Sequence, residues 1–290
     1  LVGGSVTFDA VAGTNYTVIN STTIEVDTPA GTVGSVDVVV TVGAESATET
    51  DGFEFTGAVW TPADIAGAIY YDGANDSTVT TAGGNVTLWA DSAGSQDATG
   101  VSNPTHDTAD DSVSFPSSAR LDLPDTAYTA CTIAIVMEAG ASSGTDEQAI
   151  SDQPFAGTPY GVLMRYRNSD LRVSTRHGGT INSHDYSGVR GNKHVVILRG
   201  NAAGLTATIN GGNEVTDATG TGNLDNGPDE IRVGVQDTSS RRFNGKVWKL
   251  VVIFDDVSDA DLRRLEGFLA HEEDLEGDLP AMHPYKSSPP

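Results

Sequence analysis

Along most of this chain, apolar and polar residues either alternate singly or gather in short runs bounded by turn residues. VTFDA (6–10), NYTVI (15–19), TIEVDTP (23–29), VDVVVTV (36–42) and FEFTG (53–57) come first, separated by polar turns. Several of them alternate with a period of two, as strands with one buried face do. After residue 63 the strand signals continue through YGVLMRYR (160–167), LRVSTR (171–176), HVVILRG (194–200) and LTATING (205–211). LRVSTR and LTATI alternate and predict one wet face. CTIAIVM (131–137) and WKLVVIF (248–254) are nearly all apolar and predict strands buried on both sides. Asn210-Gly211 predicts a tight type I′ hairpin.

One stretch breaks the pattern. In VSDADLRRLEGFLAHEED the apolar residues Leu262, Leu265, Phe268 and Leu269 fall at helical spacing. Arg263, Arg264, Glu266, Glu272 and Glu273 fill the opposite face. Ser258 is suited to cap the first turn, where Asp259 and Asp261 also complement the helix dipole. The spacing predicts a helix over 258–273 that lies on a sheet, followed by a tail over 274–290. Around ten antiparallel strands before it predict a jelly-roll β-sandwich.

Composition fits strands and turns: 33 of the 290 residues are glycine, and 38% are hydrophobic. No apolar run is long enough to span a bilayer, so no membrane insertion is expected. The chain opens on Leu1 and is read as processed or as part of a longer protein. The single Cys131 excludes an internal disulfide, and its apolar surroundings predict a buried, inert thiol. Forty acidic residues against 16 basic ones give a formal charge of -24. Only four of the basic residues are lysines and twelve are arginines. Acidity spread over the whole length, with scarce lysine, fits a halophilic or marine source; an ordinary acidic extracellular protein is the alternative. Either way, nucleic acid is not an expected partner, because its phosphates would be repelled.

The first unit, residues 1–57, resembles an IPT/TIG immunoglobulin-like domain through VTFDAVA, the STTIEVDTPAG turn, VDVVVTV and the closing FEF. That family has one or two further strands ahead of VTF, so this unit is read as incomplete or as completed by a neighbour. The resemblance implies spacing or adhesion and carries no catalytic residue. Residues 58–62 read as a linker. Residues 63–290 resemble a laminin-G-like, concanavalin A-like lectin/glucanase domain of the kind found in tailed-phage structural proteins. Four pieces carry this: IYYDGANDSTVTTAGGNVTLWADSAGSQDAT, HVVILRGNAAGLTATINGGNEV, IRVGVQDTSSRRFNGKVWKLVVIF and the final helix with its His283-Pro284-Tyr285 tail. Glu272 and Glu273 stand where the family has an aromatic and a basic residue, a change expected to affect only the helix surface.

Glucanases of that fold carry paired carboxylates on one strand in a Glu-x-Asp-x-x-Glu arrangement. No such run occurs here, and Glu230 has Arg232 on its own face. No enzyme is therefore expected. Concanavalin-like domains often hold calcium through loop oxygens, which makes Asp72, Asn75, Asp76, Asp91 and Asp97 candidate ligands. Plain turn formation is the competing reading for the same residues. Tyr160, Arg165, Tyr166, Arg167, Arg176, His177, His184 and Tyr186 form a dense Arg/His/Tyr cluster in an acidic chain. Three readings of it stand: a glycan-binding or receptor-binding rim, a subunit interface, or packing on a strand face. His177 and His184 are expected at the surface beside a glycine-rich loop, and Trp60, Trp89 and Trp248 in the core.

The sequence thus predicts an all-β protein, an immunoglobulin-like sandwich followed by a jelly-roll sandwich with one C-terminal helix. The resemblance implies a non-enzymatic virion surface protein: a capsid decoration, head fibre or tail-associated protein that self-associates, contacts other virion proteins and meets host surface glycans. A secreted or cell-surface carbohydrate-binding adhesin is the alternative, and a degenerate glycoside hydrolase a third.

Overall fold

The structure, a computed structural model, describes residues 4–29, 34–55, 60–116, 118–141, 146–152, 160–225, 230–234 and 241–290. The chain divides into two compact units, Leu1–Val59 and Trp60–Pro290. Both are built from strands, and the described residues contain a single α-helix.

In the first unit, four antiparallel strands lie in the order Val11–Ala12, Gly4–Phe8, Gly34–Val42 and Glu45–Phe55. Thr14–Asn20 and Thr23–Asp27 form a separate hairpin. Phe8 meets Phe53 and Phe55 edge-on, at centroid distances of 5.1 and 6.3 Å. Glu45–Phe55 corrects the sequence reading, which placed a polar turn over most of it. Its first eight residues are exposed, so an edge strand wet on both faces shows no apolar alternation. The end of FEFTG lies outside the described residues.

The second unit contains two series of paired strands. One runs Gly212–Asp217, Gly204–Ile209, His194–Asn201, Cys131–Ala139, Gly245–Ile253 and Ala68–Asp72. The other runs Val79–Ala82, Asn85–Trp89, Ala98–Val101, Arg120–Asp122, Arg232–Val233, Glu147–Ser151, Val162–Arg167, Asp170–His177 and Thr180–Tyr186. Thr105–Asp107 and Ser112–Phe115 join the two series by pairing with Asn85 and with Gly245–Val247. Side chains from both series share one core: Ile133, Ile135, Val196, Leu250 and Val252 from the first, Ile150, Val162, Met164, Leu171 and Val173 from the second.

The alternate residues of the first sheet point the other way. Ala134, Val136, Val195, Ile197, Val251 and Ile253 form a second core with Leu262, Leu265, Phe268 and Leu269 of the helix α1, Asp259–Glu272. That is why CTIAIVM and WKLVVIF are apolar at nearly every position, Thr132 and Lys249 excepted: one face meets the opposing sheet, the other meets α1. Ser258 accepts from the Asp261 amide and caps the helix as its sequence predicts. Trp60 and Tyr70 each pack edge-on against Phe268 at 5.9 Å.

Two expectations about α1 are corrected. Glu266 was placed on the solvent face but is fully buried, because the C-terminal tail folds back over that side. Its Oε2 accepts from Arg263 Nη1 at 2.8 Å and contacts His283 Nε2 at 3.1 Å, and its Oε1 accepts from Thr208 at 2.5 Å. Glu273 is not a mere surface change either. It is buried beside Lys193 at 2.6 Å and Lys249 at 3.6 Å, in a cluster that includes Asp72 and Glu272.

Candidate functional site

The pleat divides the Arg/His/Tyr cluster between two faces of the second sheet. Successive side chains of a strand point to opposite sides, so Val162, Met164 and Tyr166 enter the core while Arg165 and Arg167 lie outside. On the neighbouring strand Leu171 and Val173 are core residues, and Arg172, Ser174 and Arg176 alternate with them. Arg165, Arg167 and Arg176 therefore belong to the outer face, and Tyr160, which precedes the strand, joins them through a hydrogen bond with Ser174.

Tyr166, Tyr186 and His177 are corrected, while His184 stays half-exposed. Tyr166 is fully buried, stacks on Phe243 at 6.1 Å and carries Arg190 over its ring at 5.1 Å. Tyr186 is also core. His177 is 2% exposed, with one ring nitrogen 2.9 Å from the Gly222 carbonyl and the other 3.0 Å from Thr175 Oγ1. His184 pairs in register with the core residue Val173 and meets Tyr186 edge-on at 4.7 Å. The expected glycine-rich surface loop is the strand Thr180–Tyr186, joined to its neighbour by a turn at Gly178-Gly179.

The outer face has a defined arrangement. Across the strands one row reads Gln148, Arg165, Arg172 and Asp185, and the next reads Ser151, Leu163, Ser174 and Ser183. The second row is three serines and the buried Leu163; the first carries charge. Arg172 makes a two-pronged ion pair with Asp185 at 2.6 and 2.6 Å, which raises the arginine pKa and lowers that of the aspartate. Arg165 donates to Asp146 at 3.1 Å. Burial, together with the like charges of Arg167 and Arg172, makes its proton easier to lose, against the pull of Asp146. Arg176 lies 3.3 Å from Asp225, which also accepts from the Gly178 and Gly179 amides and fixes that turn.

Tyr160 sits among these cations. Burial raises the phenol pKa, while Arg165, Arg176 and Arg172 and a hydrogen bond with Ser174 pull it back. Its position is set from below by Asp152, a fully buried carboxylate whose two oxygens accept from the Gly161 amide at 3.0 and 2.8 Å. Gly161 must be glycine, since an added Cβ would lie 2.6 Å from both the Asp225 carbonyl and the Tyr128 hydroxyl. Farther along the face, Arg120 pairs with Asp122 at 2.7 Å and Arg232 with Glu230 at 2.8 Å. Six of the twelve arginines thus share one sheet face, and all four lysines lie elsewhere.

Sequence reasoning missed Arg172, Ser174, Gln148 and Asp152. The first two were legible, because residues 172, 174 and 176 of an alternating strand share a face. Gln148 and Asp152 lie in a stretch with no clear strand signal. Gln148 is 1% exposed, and neither its Oε1 nor its Nε2 has a hydrogen-bond partner.

The calcium candidates serve the fold locally. Lys249 Nζ lies 2.6 Å from Asp72 Oδ1. Asn75 accepts from Ser77 within its own turn, and Asp76 lies 3.8 Å from His106. Asp91 accepts from the Tyr70, Ala93 and Gln96 amides, and Asp97 from the Asp91 amide. Among the described residues no three His, Cys, Asp or Glu side chains are grouped to hold a metal ion.

No family model matches the chain. No curated protein sequence matches it either. Solved structures do. A Ruminococcus gnavus IT-sialidase CBM40 is 20% identical over 47% of this chain and 82% of its own, with a TM-score of 0.40. The binding domain of botulinum neurotoxin serotype D is 12% identical, covering 68% of this chain and 50% of that one, at 0.46. Trypanosoma rangeli sialidase in complex with sialic acid is 15% identical over 74% of this chain at 0.51, and the match spans 34% of the sialidase. The likeness is one of fold.

Proposed function

We propose that this chain is a non-enzymatic recognition protein whose larger unit binds a saccharide across the outer sheet face centred on Tyr160. One observation carries the reading: a half-buried tyrosine among three arginines, beside a row of serines, in a chain of net charge -24. An aromatic body with a polar tip, guanidinium donors and serine hydroxyls is the equipment that holds a sugar ring and its oxygens. The ion pairs to Asp146, Asp185 and Asp225 hold the donors in place before any ligand arrives, which lowers the ordering cost of binding. We place the protein on the outside of a tailed virus, as a decoration, fibre or tail-associated component, on the resemblance of its helix and His283-Pro284-Tyr285 tail. A secreted or cell-surface adhesin would use the same face.

A glycan array probed with the intact chain and with Tyr160→Ala tests the binding reading. The wild type should bind a defined subset of saccharides and the variant should lose them. Binding that is identical in both would move the site elsewhere.

A further inference from the structure

The outer face also says what kind of saccharide it takes. We infer, resting on the saccharide-binding reading above, that the ligand carries a carboxylate, seated against Arg165 and Arg176 beside Tyr160.

Arginine is concentrated on this face while lysine is absent from it. The planar guanidinium fork matches a carboxylate with two parallel hydrogen bonds, whereas an ammonium offers a point charge. The face already displays that match at Arg172, whose Nε and Nη2 reach the two oxygens of Asp185 at 2.6 Å each. Arg165 and Arg176 are engaged differently. Arg165 reaches Asp146 through Nη1 at 3.1 Å, and Arg176 faces Asp225 through Nε at 3.3 Å. Neither pair is two-pronged, so each guanidinium has further N–H groups beyond that contact. Arg165, Arg176 and Arg172 surround Tyr160, each held by its own carboxylate, Asp146, Asp225 or Asp185.

Gln148 supplies the second, independent observation. It stands opposite Arg165 in register, almost fully buried, with its carbonyl and its amide both unpartnered. A buried amide left unmatched costs about 1–3 kcal/mol, and folds rarely retain that cost without a use. The amide is covered in this structure, so a ligand hydroxyl would pair with it only after displacing what lies over it.

Calorimetry on the intact chain with matched saccharide pairs tests this. One pair is sialyllactose against lactose, and the other is oligogalacturonate against its methyl ester. The inference expects one acidic partner to bind roughly tenfold to hundredfold tighter than its neutral mate, the range for a charge-assisted hydrogen bond. Which pair responds identifies the source of the carboxylate. Arg165→Gln and, separately, Arg176→Gln should remove the preference, while Arg264→Gln on α1 should keep it, with thermal unfolding confirming that each variant folds. Equal affinity for both members of the pair that binds would overturn the carboxylate assignment and leave saccharide binding standing. Tighter binding of a sulfated, carboxylate-free saccharide would also overturn it. If no member of either pair binds and the array is blank as well, the proposed function falls together with this inference.

Discussion

His283 Nε2 lies 3.1 Å from Glu266 Oε2, and both side chains are buried. The pair joins the C-terminal tail to α1, and Thr208 and Arg263 complete the carboxylate's hydrogen bonds. Removing one partner leaves a buried charge short of donors. His283→Ala should therefore destabilise the second unit by roughly 1–3 kcal/mol and speed amide exchange across 274–290. Hydrogen exchange read by mass spectrometry checks this, and an unchanged tail would show that the pair does not hold it down.

The same carboxylate predicts a pH dependence. Burial disfavours the Glu266 charge, but the hydrogen bonds from His283, Thr208 and Arg263 outweigh it and hold the pKa below the ordinary 4.5. A group depressed on folding stabilises above its unfolded pKa, and that contribution is lost as pH falls through the folded value. His194 acts in a different window. It is buried, and desolvation lowers its pKa below the ordinary 6.5. The unfolded chain then takes the proton first, so stability declines as pH drops below 6.5. Thermal unfolding from pH 8 to pH 3 should show two descents, the upper one removed by His194→Gln and the lower one reduced by Glu266→Gln.

Packing of α1 is open to direct test. Leu265 is fully buried against the first sheet, so Leu265→Ala should cost about 2–5 kcal/mol. Gly267 acts on the tail side, where an added Cβ would lie 2.4 Å from the Tyr285 Cβ. Gly267→Ala should displace Tyr285 and expose the tail to protease while α1 stays folded. Equal protease resistance in the variant and the parent would contradict that packing.

Gln148 gives a prediction with opposite signs. Gln148→Leu removes an unpartnered buried amide, and should leave stability unchanged or raise it by about 1 kcal/mol. The same change should weaken saccharide binding. Chemical denaturation and calorimetry on one preparation measure both, and a variant that binds as well as the parent would separate Gln148 from the site.

Much of this architecture was legible because it follows from residue patterns. The period-two and all-apolar runs marked the central strands, Ser258 and the stripe from Leu262 to Leu269 marked α1, and Asn210-Gly211 marked a turn in which both residues take positive φ. What stayed hidden depends on contacts distant in sequence. Glu266 is polar by pattern and buried only because residues 279–285 return over it. Glu45–Phe55 is an edge strand without apolar alternation. The Arg/His/Tyr cluster was visible as composition, yet only the pleat and register show that Tyr166, His177 and Tyr186 turn inward while Arg172 joins the outer row.

The most direct test of the central claim is a titration of the isotope-labelled chain with the saccharide selected by the array, following the arginine Nε–Hε resonances. Shifts at Arg165, Arg172 and Arg176, with Arg199, Arg263 and Arg264 unmoved, are the predicted result. Saturable binding that leaves those three resonances in place and perturbs others would contradict the assignment of the outer sheet face as the binding site.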